Sequence, residues 1–212
     1  MKIKIKQLKN KFQIDFEYNY EIILNSILNP NLLLGSMVTN DSRTLTFNAN
    51  TVTKFSPSEH ICMEMIYKMI YQLGKQIEYL IIKENVSVFD FSQDDIYMID
   101  DNFFYFPSIE DIIPIHNSYL YITYPFSHEK LITSPELNEI TEIPSEVHYK
   151  TIYYSLGCFF LYLFLMGKTD IKEIAKNPVE ILNKSYLYGS KFYYFLDRCL
   201  KKPPQERSFI FI

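Results

Sequence analysis

The sequence predicts an α+β fold in two parts: strands and one helix first, a hairpin in the middle, and helices afterwards. Three observations carry this. Residues 2–6 alternate lysine and isoleucine, the period of a strand with one buried face. Ser56-Pro57-Ser58-Glu59 combines an N-cap serine, a proline at the first helical position and a glutamate able to close a capping box, ahead of a long apolar stripe. Residues 151–167 contain no charged side chain and form the most apolar run of the chain.

Taken in order, the alternating strand comes first, and its lysines read as its solvated face. From 16 to 28, Phe16, Tyr20, Ile23, Leu24, Ile27 and Leu28 recur at helical spacing, and Asn29-Pro30-Asn31 stops that helix. Strand-like runs follow at 32–38 and Thr44–Phe47, with a polar turn at Asn40-Asp41-Ser42. The helix opened by Ser56 carries Cys62, Met65, Ile66, Met69, Ile70, Leu73, Ile77, Leu80 and Ile81 on one stripe, a core-facing pattern rather than a set of methionine ligands. Next, Asp100-Asp101-Asn102 separates two runs of strand-forming residues, which reads as a hairpin. The second half reads as helical. Asp170 with Glu173 marks one capped start, and Ser190 caps a helix to Leu200 that Pro203-Pro204 ends.

The run 151–167 raises the question of a membrane span. A span needs roughly 20 mostly apolar residues, with a lysine and arginine excess on one flank. This run is shorter, is diluted by Thr151, Ser155 and Gly157, and has one lysine at each end, Lys150 and Lys168. A buried helix is the expectation; insertion of that helix into a membrane is the third-ranked alternative.

Composition narrows the function classes. The chain has 212 residues, 48% hydrophobic and 17% aromatic, enough for a substantial core and too apolar for disorder over most of its length. A net charge of −4 with mixed signs argues against a nucleic-acid partner. Cys62, Cys158 and Cys199 are odd in number and far apart, as in reduced thiols of an intracellular protein, and the N-terminal stretch lacks a signal-peptide pattern. Cytoplasmic localisation is therefore expected. The four histidines are widely separated with no paired spacing, so no metal site is expected.

The order of elements and four short matches resemble the protein-kinase superfamily over nearly the whole chain. Ser134-Pro135-Glu136 resembles the motif closing the activation segment. Tyr154-Ser155-Leu156-Gly157 is similar to the start of the buried central helix, and Cys199-Leu200 with Pro204 and Arg207 is similar to the C-terminal pattern. Val88-Phe89-Asp90 stands in place of His-Arg-Asp. In that family the aspartate accepts the substrate hydroxyl's proton and an asparagine five residues on holds magnesium. The resemblance thus makes Asp90 the base position and Asp95 a metal-facing position in cofactor binding, although Asp94 and Asp95 read first as a solvated loop. It also makes Lys4 or Lys6 the phosphate-contacting lysine of an early strand.

Several chemistry-bearing positions depart from the family pattern. Where Asp-Phe-Gly belongs the chain reads Phe106-Pro107-Ser108, and Ser92 replaces a phosphate-contacting lysine. Phe89 replaces the arginine that pairs with an activating phosphate, and Ile152 replaces an aspartate that secures the catalytic loop. Tyr20 occupies the place of the lysine's glutamate partner, with Glu17 and Glu21 beside it. The family's glycine-rich loop has no counterpart, since the sequence starts at what resembles the strand after it. The resemblance therefore implies a two-lobed kinase-like fold with a reduced N-lobe, residues 1–54, and a helical C-lobe, 55–212. It implies a pseudokinase that serves as an interaction or scaffold module with an unidentified protein partner and no cofactor. The alternative is a divergent active kinase using Mg-ATP. Glu136 and Arg207 match motifs whose charged members meet in that fold, so a buried ion pair between them is expected.

Overall fold

The computed structural model describes residues 3–9, 11–33, 35–57, 61–126, 132–165 and 168–210. The fold is mixed α and β with small antiparallel sheets. The lysine–isoleucine alternation forms β1 (Ile3–Leu8), which pairs with β2 (Lys11–Phe16). Phe12, Ile14 and Phe16 alternate into the core from β2, while β1 remains a largely exposed edge. The helix expected from residue 16 begins later, as α1 (Glu21–Leu28). Phe16 closes β2 and Tyr20 stands at the helix N-cap, so their four-residue spacing joins a strand end to a helix start.

The strand expected over 32–38 shrinks to β3 (Met37–Val38), because Asn31 and Gly35 adopt left-handed backbone at φ 56° and 69° and interrupt the run. Together with β4 (Thr44–Phe47) it completes a sheet in the order β1-β2-β4-β3. A strand missed in the sequence, β5 (Val52–Lys54), sits at the boundary expected near residue 54 but belongs to a second sheet. The long helix α2 (Met63–Ile82) starts well after Ser56. Ser56 and Pro57 are not helical, and Ser58 and Glu59 of the expected capping box lie outside the described residues. The apolar stripe is kept for Ile66, Met69, Ile70, Leu73, Ile77 and Leu80, which are buried, while Met65 and Ile81 are partly buried and Cys62, at the helix N-cap, is exposed.

Next come β6 (Val86–Val88), β7 (Ile96–Ile99) and β8 (Asn102–Tyr105). The last two form the expected hairpin, with Asp100 at φ 44° in its turn, and β5 flanks β7. β6 pairs instead with β9 (Ile112–Pro114), and β10 (Tyr119–Ile122) pairs with a strand 23 positions or more along the chain. That strand, β11 (Ser145–His148), follows the short helix α3 (Pro135–Asn138). These three strands correct the expectation of a wholly helical second half. They are short, and their partners are distant in sequence, so no local pattern announces them. In the tyrosine-rich segment 116–126, Leu120 and Ile122 point inward and Tyr121 is exposed.

The apolar run becomes α4 (Thr151–Phe164), packed among α2, α5 (Ile171–Lys176), α6 (Pro178–Lys184) and α7 (Lys191–Cys199). Of its residues only Tyr153 and Tyr162 are partly exposed. Gly157 allows α7 to approach, since a Cβ there would lie 2.8 Å from Cys199 Cβ and 3.1 Å from Leu200 Cδ2. Among the described residues no helix is long and apolar enough to cross a membrane. Asp170 caps α5 through Lys172 N at 2.9 Å, and Ser190 caps α7 through Tyr193 N at 3.2 Å.

Candidate functional site

Of the residues singled out in the sequence, Asp90 and Asp95 lie between β6 and the β7–β8 hairpin, which α2 holds in place, whereas Lys4, Lys6, Glu136 and Arg207 lie elsewhere. β8 is the outer strand of its sheet, and two glutamines one helical turn apart on α2 satisfy its free edge. Gln72 Oε1 accepts from Phe103 N at 2.7 Å. Gln76 Oε1 accepts from Tyr105 N at 2.9 Å while its Nε2 donates to Tyr105 O at 3.2 Å. Gln76 is 1% exposed, and its Nε2 also donates to Ser26 Oγ of α1 at 3.4 Å, so its buried amide is satisfied from both sides.

Asp90 follows β6 and is buried. Asp95 ends a single 3₁₀ turn that Ser92 caps by accepting from Asp94 N at 3.2 Å, and Asp95 O accepts from Phe106 N at 2.8 Å. The solvated-loop reading suits Asp94, which is exposed, better than Asp95, which is half-buried. A third carboxylate not noticed in the sequence, Asp111, is buried behind them, and its carbonyl accepts from Phe89 N at 3.1 Å. Burial raises the phenols of Tyr20 and Tyr105 well above their ordinary range, and the charges of Asp95 and Asp111 add to this. The Tyr124 phenol is raised by burial and by Asp111, Glu110 and Asp90. Asp111 thus acts on the same phenols as Asp95 on one side and as Asp90 on the other. Even so, among the described residues no group of three or more histidines, cysteines or acids is arranged to hold a metal ion.

Lys4 and Lys6 stand on the exposed edge strand. Lys6 Nζ pairs with Asp15 Oδ2 at 2.6 Å across to β2, which holds the Asp15 carboxyl below its usual range. Glu17 and Glu21 are exposed and make no ion pair with either lysine. Where the end of β2 and the start of α1 meet the hairpin, aromatic rings pack together. Phe16 stacks on Tyr20 at 4.4 Å, Phe106 lies 5.8 Å from Phe16, and Tyr97 meets Phe106 edge-on at 5.6 Å. Tyr20 donates its hydroxyl to Pro107 O, which ties the start of α1 to the segment after β8.

Phe89 is equally apolar in its surroundings. With Ile113, Leu120, Ile122, Leu137 and Val147 it forms a second core, and Phe126 packs edge-on at 5.4 Å. This core lies beneath the segment between β9 and α4.

The contrast is Glu136 on α3. Arg207, fully buried, donates from Nη1 to Glu136 Oε1 and from Nη2 to Oε2 at 2.9 Å, a bidentate pair across 71 residues. Arg207 Nε donates to Lys201 O at 2.8 Å and Nη2 also reaches Lys202 O at 3.2 Å; its guanidinium sits 4.9 Å from the Tyr154 ring centroid. Burial alone would push the Glu136 carboxyl up, but the hydrogen bonds and charge of Arg207 outweigh it and hold it below its usual range. Ser134 and Thr151 share a buried hydroxyl hydrogen bond, which fastens α3 to the start of α4.

The buried thiols offer no nucleophile: burial raises Cys158 and Cys199 far above the ordinary thiol range. The missed residues left only faint signals. Gln72 and Gln76 are polar positions on the apolar stripe of α2, and Asp111 is an acid between Ile109 and Ile112. No protein-family model matches this chain, and no curated protein matches it.

Proposed function

We propose that the chain is a degenerate member of the protein-kinase-like superfamily, two-lobed in plan, that acts as an interaction or scaffold module rather than as a phosphotransferase. The superfamily reading is supported by the strand pairing around Asp90, in which β6 joins β9 while β7 and β8 form their own hairpin. The buried α4 and the Glu136–Arg207 pair, joining two motif positions far apart in sequence, support it further.

One observation carries the non-catalytic part: aromatic rings pack together where the end of β2 and the start of α1 meet the hairpin, and Tyr20 bonds to the Pro107 carbonyl there. Phosphoryl transfer depends on positioned phosphates and metal ions. The residues present do not fit Mg-ATP, because Lys4 and Lys6 face outward from an edge strand and the position after β8 offers Phe106, Pro107 and Ser108. No catalytic step is derived through that group.

Asp90, buried at the base position of the resemblance, and Asp95, five residues on, favour the second reading, a divergent active kinase. One experiment separates the two. Titration of the full chain with ATP and magnesium should leave its melting temperature unchanged, and radiolabelled ATP should not turn over. Turnover that disappears in Asp90→Asn would establish the second reading.

A further inference from the structure

A cavity of about 570 Å³ opens beneath α6, between α3, α4 and the end of α7, away from the hairpin site. Its volume falls in the range of roughly 300–1,000 Å³ that small-molecule sites occupy. Its inner wall is apolar, formed by the buried Tyr154, Pro178 and Leu200. Its rim is cationic: Lys176, Lys184 and Lys202 face one carboxylate, Glu180.

We propose that this cavity binds a small amphipathic organic anion, with an aryl or alkyl body against Tyr154 and Leu200 and one carboxylate or sulfonate among the rim lysines. The inference does not depend on the kinase-like reading. Charge complementarity carries it. The chain as a whole has a net charge of −4, yet this lining is positive. Glu180 is already engaged by Lys184 at 2.6 Å, so it does not neutralise the other two. Lys176 and Lys202 have no ion-pair partner among the described residues.

The wall is fixed in advance. Tyr154 lies against the Arg207 guanidinium, and the Lys202 carbonyl accepts from Arg207 Nη2 at 3.2 Å. A ligand would therefore order mainly the lysine side chains, which lowers the entropic cost of binding. The Tyr154 phenol is uncharged at neutral pH, and burial raises it further, so no negative charge on the wall opposes an anion. Asn183, also on the lining, accepts from Tyr193 at 2.7 Å through Oδ1, and its amide nitrogen remains a donor.

The test uses two fluorescent probes of similar shape, the anion 8-anilinonaphthalene-1-sulfonate and the uncharged N-phenyl-1-naphthylamine, titrated into the full chain. The anion should bind with one molecule per chain. A K176E/K202E double variant should weaken the anion by about tenfold or more while changing the neutral probe by less than about twofold. Val179, on the lining and 43% exposed, gives a second variant that does not disturb the core: Val179→Trp should weaken both probes by filling the cavity. Thermal melts of both variants should match the parent chain. Laurate should displace the anionic probe and a hexaglutamate peptide should not. Unsaturable or multiple binding, or binding indifferent to both variants, would overturn the proposal. Displacement by hexaglutamate but not laurate would overturn it too, in favour of an acidic protein segment.

Discussion

The space around Arg207 and the space between α1 and the β7–β8 hairpin are both buried, yet they are filled by opposite chemistry. Around Arg207 a full charge is kept, with a bidentate carboxylate, two backbone carbonyls and an aromatic face to satisfy it. Around Tyr20 the interior is made of stacked rings, and the polar links there are neutral: the Tyr20 hydroxyl on the Pro107 carbonyl, and the Gln76 amide between Ser26 of α1 and Tyr105. A buried ion pair contributes little net stability compared with well-packed apolar residues, but it is costly to break and it fixes which segments meet. The first region therefore specifies architecture, joining α3 to the chain end. The second is held by ring packing and neutral hydrogen bonds. The following measurements break or sharpen that contrast, beginning with the largest effect.

Leu161 lies in the last turn of α4 and is fully buried. Leu161→Lys should cost roughly 5 kcal/mol or more, because an ammonium there has neither water nor a partner. Stability on that scale is most of what a domain has, so circular dichroism should show loss of the cooperative transition. A folded variant with an unchanged melting temperature would mean that α4 is not the axis of the helical part.

The charged region is tested by a double-mutant cycle. Glu136→Ala and Arg207→Ala should each cost about 3–5 kcal/mol, since each strands the other charge, and the double variant should cost clearly less than the sum. Urea denaturation reads all three. Single effects under about 0.5 kcal/mol would place the pair among ordinary surface contacts and remove the contrast.

Two smaller changes probe packing on each side. Gly157→Ala adds a methyl against Cys199 Cβ, an atom tied to its backbone, and should cost roughly 1–3 kcal/mol by overpacking. Tyr20→Phe keeps the stack but strands the Pro107 carbonyl, which should cost about 1–3 kcal/mol. A neutral Tyr20→Phe in equilibrium unfolding would show that ring packing alone holds α1 to the hairpin.

How much of this was legible follows from how local each signal is. α4 was readable because fourteen helical residues carry no charge, and α7 because Ser190 and Pro203-Pro204 bracket it. The β7–β8 turn announced itself through Asp100-Asp101. The start of α1 did not, since Phe16 and Tyr20 satisfy helical spacing although one ends a strand. β9, β10 and β11 depend on pairings that no window of sequence contains. The Glu136–Arg207 meeting was expected only through the family resemblance, because nothing local links residues 71 positions apart. The contacts of Tyr20 with Phe16 and Phe106 are tertiary, and only the aromatic residues themselves were visible in the sequence.

The mildest test is one of pH, and it also falls beside Arg207. His148 is buried at the end of β11, and its Nδ1 accepts from Lys150 N at 3.2 Å, which requires that nitrogen to be unprotonated. Burial first, then the charges of Lys150 and Arg207, lower its pKa, with Glu136 opposing. The sign follows from linkage. With the folded value below the unfolded one, near 6.5, the unfolded chain binds more protons as pH falls through that window. The contribution of His148 is thus fully present above about pH 6.5 and is lost as pH drops through its folded value. Glu136 also has a depressed value, but its contribution is lost only lower, as pH falls from about 4.3 downward through its folded value. Urea midpoints measured from about pH 7.5 to about pH 5 should therefore decline in the parent chain and decline less in His148→Gln, whose amide oxygen can still accept from Lys150 N. Equal slopes in the two proteins would mean that the imidazole reaches water when protonated. The charged region would then be looser than its hydrogen bonds describe, and the contrast with the ring-filled side would narrow to the Glu136–Arg207 pair alone.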